Sequence, residues 1–515
     1  MLNSLNEDIQ MAIQLNLIPP YINGNFHSTT KTEHIFSVSN PANPSDILAT
    51  ASWSKELVDP VIQGLKTAQK KYRLTSLDER LSYLKKVIGF LKENADEIKS
   101  NMMLELARSK VAVEEEWSLC EKLFAALPEF CKQALSVKRD EEGWEWQYAP
   151  LGLVLVSSNI ALPVYTLLSS VLPALAAGNA VCMRPSSHCL LSGSLLASGF
   201  HQASFPPGVV QIVYGDFEVF RRLVLTHQFD TILYTGGEES LEQIRRDTST
   251  QQNARLVLCG GGKNAAYVTE SANISAAISK IVYGAFLDAG QRLESTNLVF
   301  VDQKIFNEFQ DKLVSAVKAM PIGAREDLTR SDIHVMEPLC SSNSWERFLR
   351  FQGIAARESD DTLRWGKPID NNGNGYFVSP GVHFMRSEKV LKSIYASNAF
   401  FGPDVCLISI QDRQEMINIL DELGATRCLG VHSQFVEEVY EIRQRSSVPS
   451  ILWNTSTIEL NPLLPSIGRG KAGNSYITGV RFLLSTVYPQ VLNLSAPFAA
   501  VESDIRNSKK KQNNL

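Results

Sequence analysis

The groups in this chain with chemistry to offer are a few thiols, one carboxylate in an unusual setting and several glycine-rich turns. Eight cysteines stand at positions 120, 131, 182, 189, 259, 340, 406 and 428. They show no C-x-x-C and no zinc spacing, so neither a redox pair nor a metal cage is read from them. His188 and Cys189 adjoin in SSHCLLSG without a further ligand cluster; they read as a helix start, and no metal is expected. Cys259 ends the run ARLVLC before GGGK. Its thiolate would be a strong nucleophile; the plainer reading is a small residue filling space at a strand end. Glu294, in QRLEST, is a usable carboxylate or a surface or salt-bridged acid, and Ser295 and Thr296 read as the start of a strand. Arg184 suits an anion or a nearby acid. In Tyr234-Thr235-Gly236-Gly237-Glu238-Glu239 the glycines would let backbone approach a phosphate, whereas the two acids would repel it.

These residues must be positioned by regular elements, and the chain predicts them. From Trp53 to about Leu135 apolar residues recur at i, i+3, i+4 and i+7, as in helices. GWEWQYAP alternates as a strand, with Trp144 and Trp146 on one face. From Leu151 to about Val268, strand-like runs (LGLVLVS, AVCMRPS, GVVQIVYG, TILYTGG, ARLVLCG, NAAYVTE) alternate with helix-like ones. That order implies βαβ units around a parallel sheet. It returns from Ala276 to about Val448, which predicts a second α/β domain. Before residue 52, YINGNF and HIFSVSN suggest a hairpin or edge strand. FLLSTVYPQVLNL suggests a strand or two near the end, and 503–515 reads as a flexible tail around Lys509–Lys511.

Composition narrows the class. The chain has 515 residues, 44% apolar and 20% charged, with 50 basic against 55 acidic residues and a net charge of −5. Length gives a prior of about three domains. Disordered, collagen-like and disulfide-scaffold classes are excluded, and no basic field exists to attract nucleic acid. Residues 146–183 carry no charge. Their prolines, Asn159 and serines break the run into a buried strand and a buried helix, so no membrane partner is expected. The N-terminus has no signal-peptide pattern, and the sparse cysteines point to a reducing cytoplasm.

Taken together, APLGLVLVSS, LPALAAGNAVCMRPSS, FPPGVVQIVYG, DTILYTGG, GGGKNAAYV, GAFLDAGQRLEST and FFGPDVCLISI resemble the NAD(P)-dependent aldehyde dehydrogenases. YINGNF and SNPANP join them, and all fall in family order along nearly the whole chain. The general pattern is nearest the semialdehyde dehydrogenases of amino-acid catabolism, such as the succinylglutamate- or glutamate-semialdehyde enzymes. The resemblance implies an α/β fold of two Rossmann-like domains and a small β oligomerisation flap. The cofactor-binding-like domain would hold 1–130 and 152–258, the catalytic-like domain 259–450, and the flap 131–151 with 480–500. It also implies a homo-oligomer, dimer or tetramer, built by strand pairing.

In that family a cysteine thiolate adds to the aldehyde, an Asn side chain and a backbone N–H steady the oxyanion, hydride passes to nicotinamide, and a glutamate activates water. Matched motif by motif, this chain departs at each part. The nucleophile of G-Q-x-C falls on Leu293, in Gly290-Gln291-Arg292-Leu293, and the base, four residues before Lys263, falls on Cys259. The oxyanion Asn falls on Ala161, two residues from Asn159. On the cofactor side the ribose-gripping lysine is Arg184 and the acid after it is Ser187. Gly236 and Gly237 keep the phosphate turn, but its last glycine is Leu241. The glutamate before Phe401 in the F-G-P turn becomes Asn398 or Ala399.

The scaffold motifs are kept and the catalytic ones are gone. The expectation is a catalytically deficient homologue, a pseudoenzyme acting as a binding or assembly partner with a small-molecule ligand or a protein. It would carry no cofactor or bind NAD(P) weakly. The alternative is an NAD(P)-dependent aldehyde or semialdehyde oxidoreductase with an unconventional site that uses Cys259 and Glu294.

Overall fold

Short runs of Val, Leu, Ile and Cys lie between helices in this chain, and such runs become strands buried on both faces. In the computed structural model, which describes residues 17–27, 33–141, 143–323, 335–369, 375–474 and 476–493, Leu153–Ser157, Ala180–Arg184 and Thr231–Thr235 have every residue buried. With Arg255–Cys259 and Val210–Ile212 they form a parallel sheet. Its spatial order is Arg255–Cys259, Thr231–Thr235, Leu153–Ser157, Ala180–Arg184, Val210–Ile212. The hairpin Tyr21–Ile22/Asn25–Phe26 extends it antiparallel. Asn23 and Gly24 turn that hairpin with φ of 52° and 86°, the positive pair that a tight Asn-Gly turn requires.

A second seven-stranded sheet runs Asp361–Arg364, Gly381–Arg386, Asp404–Ile410, Thr296–Asp302, Asn264–Val268, Cys428–His432, Ser450–Trp453. It is parallel except at its Asp361–Arg364 edge. Asn264–Val268 therefore belongs to this sheet, not to the first alternating series in which its sequence seemed to fall. Cys259 closes one sheet and Asn264 opens the other, so the GGGK segment crosses between them. The fold is thus the mixed α/β architecture with two Rossmann-like sheets that the motifs implied.

Four helices, Val58–Tyr72, Leu77–Glu93, Ala95–Leu106 and Lys110–Leu135, fill the stretch read as helical. The uncharged run resolves into the strand Leu153–Ser157 and the 14-residue helix Pro163–Ala176, buried throughout. Among the described residues no helix is long and apolar enough to cross a membrane.

A buried helix start needs partners for its free N–H groups. Pro163–Ala176 has no side-chain cap of its own. The Glu116 carboxylate supplies one from another helix, accepting from Val164 N and Tyr165 N at 2.9 Å each. Glu105 does the same for Leu190–Gln202, accepting from Leu191 N, Ser192 N and Ser192 Oγ. The positive end of each helix dipole thus meets a buried carboxyl.

The third sheet pairs Val487–Asn493 with Trp144–Pro150, and Trp144–Pro150 with Lys138–Arg139, all antiparallel. The stretch FLLSTVYPQVLNL contributes one strand, because Val480–Ser485 forms 3-10 turns. Residues 494–500 of the expected flap, the tail 503–515 and residues 1–16 lie outside the described residues.

Candidate functional site

The loop between the helix Ile274–Phe286 and the strand Thr296–Asp302 carries Leu293. Two features fix its path. Gly290 has φ of 66°, and a Cβ there would stand 2.4 Å from the Gly402 carbonyl oxygen, so the loop lies against the Phe401–Pro403 turn. Arg292 is drawn the other way, into a buried ion cluster. Its Nε donates to Asp288 Oδ2 at 2.5 Å and its Nη1 to Glu115 Oε2 at 3.0 Å. Arg108 grips the same Asp288 through Nε at 2.7 Å and Nη2 at 3.1 Å, and also pairs with Glu116. Burial opposes charge on Asp288, but Arg108 and Arg292 outweigh it and hold the carboxyl below its ordinary range. Asp288 and Ala289 take positive φ of 54° and 50° to make this turn, a strain the surrounding ion pairs sustain.

Between the two sheets lies a cleft of about 230 Å³. It gathers Arg184, Ser187, Gly236, Gly237, Leu293 and Phe401 on its walls. Those six come from distant parts of the sequence and were singled out by motif. Cys259, Ala161 and Glu294 do not line it. Ala161 faces a separate small cavity behind the cleft, while Asn159, two residues earlier, does line the cleft. Asn159 Oδ1 accepts from Leu162 N at 3.4 Å, capping the turn before the Pro163–Ala176 helix.

Cys259 and Glu294 meet behind Leu293. Cys259 is fully buried and packs against Leu293 and Phe401. Arg427 Nη1 donates to its sulfur at 3.1 Å, and Arg427 Nη2 pairs with Glu294 Oε1 at 3.0 Å. One guanidinium thus holds both groups. Burial pushes the Cys259 thiol up, and Glu294 adds to this against the pull of Arg427. A thiol that is buried, raised and capped by Leu293 does not reach the cleft.

Arg184 is likewise turned inward. It is 5% exposed, donates from Nη1 to Gly215 O at 2.8 Å and from Nη2 to Ser157 Oγ, and its Nε has no partner among the described residues. Its guanidinium lies over Phe220 at 5.9 Å. Gly237 caps the helix Glu238–Asp247, whose first turn holds the exposed Glu238 and Glu239. Leu241, one turn in, is 3% exposed and belongs to the core. Its side chain would press a Cβ on Gly260 at 2.9 Å, so it packs where the two segments meet.

The motifs gave no sign of three further residues. Arg347 and Cys340 line the cleft beside Gln291 of the G-Q-x-C motif; Gln291 Oε1 accepts from Cys340 N at 3.0 Å. Arg427 is the third. Cys340 and Arg347 flank the start of the helix Ser342–Glu358, and a Ser-Ser-Asn-Ser run before a helical pattern was the available signal.

An aldehyde dehydrogenase family model matches residues 26–490. The chain belongs to the aldehyde dehydrogenase family. Among its relatives in that family is the α-ketoglutaric semialdehyde dehydrogenase of Bacillus subtilis (strain 168), 26% identical over 439 residues, covering 81% of this chain and 87% of that one. The malonate-semialdehyde dehydrogenase of Bacillus cereus (strain G9842) is 25% identical over 418 residues, covering 80% and 84%. The NADP-dependent glyceraldehyde-3-phosphate dehydrogenase of Streptococcus equinus is 25% identical over 485 residues, covering 91% and 96%. Among solved structures, an aldehyde dehydrogenase from Bacillus cereus (E194S mutant) superposes with a TM-score of 0.84 at 22% identity, covering 93% of this chain and 97% of that one. The 1-pyrroline-5-carboxylate dehydrogenase from Thermus with bound NAD gives 0.83 at 20%, covering 95% and 96%. These likenesses establish the aldehyde dehydrogenase fold.

The cleft residues fit a dinucleotide poorly. Two carboxylates stand in the first turn of the helix where a pyrophosphate would sit. Arg184 spends two of its nitrogens on protein oxygens, and no carboxylate lines the cleft among the described residues to receive ribose hydroxyls. The volume is also below the ~300–1,000 Å³ usual for a ligand pocket.

Proposed function

We propose that this aldehyde dehydrogenase family member does not run thiol-dependent aldehyde oxidation at the family position, and that it serves as a binding or assembly protein with a retained ligand cleft. One observation carries the reading. The side chain that reaches the cleft at the nucleophile position is Leu293, and the thiol behind it, Cys259, is sealed by Leu293 and Phe401 and held by Arg427. An aliphatic side chain has no lone pair to form the adduct. Losing the nucleophile of a comparable hydrolytic triad costs about a million-fold.

A second reading has support of a different kind. The relatives named above all bear the names of dehydrogenases, two of them semialdehyde enzymes, and this weighs toward an NAD(P)-dependent aldehyde or semialdehyde oxidoreductase that uses Cys259. Assays with NAD and NADP against a panel of aldehydes and semialdehydes separate the two. The first reading expects no turnover above background. Turnover abolished by Cys259→Ala supports the second reading, and turnover that survives Cys259→Ala overturns both.

We also infer a homo-oligomer, joined through the sheet that contains Trp144–Pro150 and Val487–Asn493, working in a reducing cytoplasm.

A further inference from the structure

Arg108, Glu116, Asp288, Arg292 and Glu337 are buried together where the two halves of the fold meet. Arg108 and Glu116 belong to the helical side. There the helix Lys110–Leu135 packs its Val113, Trp117 and Leu123 into the core of the first sheet. Asp288 and Arg292 lie on the loop before Thr296–Asp302, and Glu337 stands between Met336 and Leu339 of the second core. We propose that Glu337 is a proton-operated catch between these halves: neutral, it holds the rear wall of the cleft in place, and ionised, it lets that wall loosen. The proposal rests on the cleft being a retained ligand pocket, and its test requires neither a bound ligand nor turnover.

The catch is a short chain of contacts. Glu337 Oε1 accepts from Ser109 N at 3.3 Å and from the Ser109 hydroxyl, and Ser109 is the N-cap of Lys110–Leu135. Three residues after Glu337, Cys340 N donates to Gln291 Oε1 at 3.0 Å, and Gln291 Nε2 donates to Asp288 O at 2.9 Å. Cys340 and Gln291 line the cleft and also the small cavity behind it, a space of about 10 Å³ that Glu337 borders. Movement at Glu337 is therefore movement of the cleft wall. Glu337 is 1% exposed, and its Oε2 has no partner among the described residues. A carboxylate there would be a buried anion with one oxygen lacking a donor, which the neutral acid avoids.

The charges around Glu337 do not cancel. From the helical side it meets Arg108, with Glu115 and Glu116 beyond; from the loop side it meets Asp288, with Arg292 beyond; Cys340 is on its own segment. Both guanidinium groups are already engaged. Arg108 binds Asp288 and Glu116, Arg292 binds Asp288 and Glu115, and neither forms an ion pair with Glu337. An ionised Glu337 would join Glu116 and Asp288 as a third buried carboxylate against two cations. Burial and Asp288 push Glu337 up to about 7, against the pull of Ser109 and Arg108. Being raised from 4.5, the carboxyl favours the closed arrangement fully below that value, and the benefit is lost as pH rises through about 7. Above it the proton passes to solvent, and the new anion favours an opened, hydrated contact.

The test is hydrogen–deuterium exchange of the full-length chain, read by mass spectrometry on peptides covering 109–116 and 335–341. After correction for the intrinsic exchange rate, opening of these peptides should increase about tenfold between about pH 6 and about pH 8.5, as linkage requires of a carboxyl that shifts this far on closing. Glu337→Gln, neutral at every pH, should keep the protection seen at about pH 6 and show no such rise. A rise that Glu337→Gln leaves unchanged, or no rise at all, overturns the proposal. So does a rise confined to 190–202, where Glu105 binds. If Glu337→Gln does not fold, the wild-type chain still decides: a rise spread evenly over all peptides overturns the catch, and one confined to 109–116 and 335–341 supports it. Nicotinamide-linked turnover would overturn the proposed deficiency and leave the catch intact.

Discussion

Leu293 and Cys259 touch, and both answer to neighbours that sequence spacing does not reveal. Leu293 O accepts from Asn264 Nδ2 at 2.8 Å, while Asn264 Oδ1 accepts from Arg427 N and Cys428 N. The position of Leu293 is thus fixed by the second sheet. The same inward turn affects Arg184, and weak or absent nicotinamide binding is the outcome expected from it. Each unmade bond to a charged or polar group costs roughly 1–3 kcal/mol, so two or three such losses shift affinity by several decades. Calorimetric titration with NAD and NADP should show no binding at micromolar concentration; saturation there would reverse the conclusion about the cleft.

Another residue gives a pH signature. Burial pushes Glu105 up to about 7, although Ser192 and Leu191 donate to it. A carboxyl raised above its unfolded value of 4.5 favours the folded chain fully below that value. The contribution is lost as pH rises toward 7, because the unfolded chain releases its proton first. The span corresponds to at most about 3 kcal/mol. Melting of the wild-type chain should therefore weaken between about pH 5 and 7 relative to Glu105→Gln. Parallel curves would show that Glu105 ionises normally.

Which helices and strands would form was largely legible. Continuous apolar runs gave the parallel strands, and the 3.6-residue period gave the Val58–Leu135 helices. What joins them was not. The cap of Pro163–Ala176 comes from Glu116, and the cap of Leu190–Gln202 from Glu105. The Glu114–Glu116 run reads in sequence as a solvated helix face, because a local pattern carries no information about a partner many residues away. Glu116 should repay a test: it is buried, pairs with Arg108 and caps a buried helix. Removing one member of a buried pair costs about 3–5 kcal/mol. Glu116→Ala should lower the denaturation midpoint strongly, whereas alanine at the neighbouring exposed Glu114 should change it little. Equal effects would deny the cap its importance. The site was half legible for the same reason. Arg184, Gly236, Gly237, Leu293 and Phe401 sit in recognisable motifs, while Cys340, Arg347 and Arg427 become neighbours only once both sheets fold.

The molecule as a whole presents an edge that is awkward for a single copy. Val487–Asn493 is an outer strand of its small sheet, and Tyr488, Val491 and Leu492 are exposed on it at 37%, 59% and 54%. Trp144 is 41% exposed on the partner strand, whereas Trp146 is covered by Lys138, whose Nζ lies 4.4 Å from its ring centre. An uncovered apolar edge invites pairing. Light scattering should report a dimer or a larger even-numbered assembly at micromolar concentration, and removal of the chain after Val480 should give monomer or aggregate. A steady mass near 57.2 kDa at all concentrations would exclude assembly through this sheet.

Arg427 also governs which side chains positions 259 and 293 can accept. It bonds Cys259 on one side and Glu294 on the other. A glutamate placed at 259 would confront Glu294 across a single guanidinium, two buried anions with one counter-charge. A cysteine placed at 293 would lie against the thiol of Cys259. One arginine thus ties three positions far apart in sequence into a single unit, in which a change at one is felt at the others.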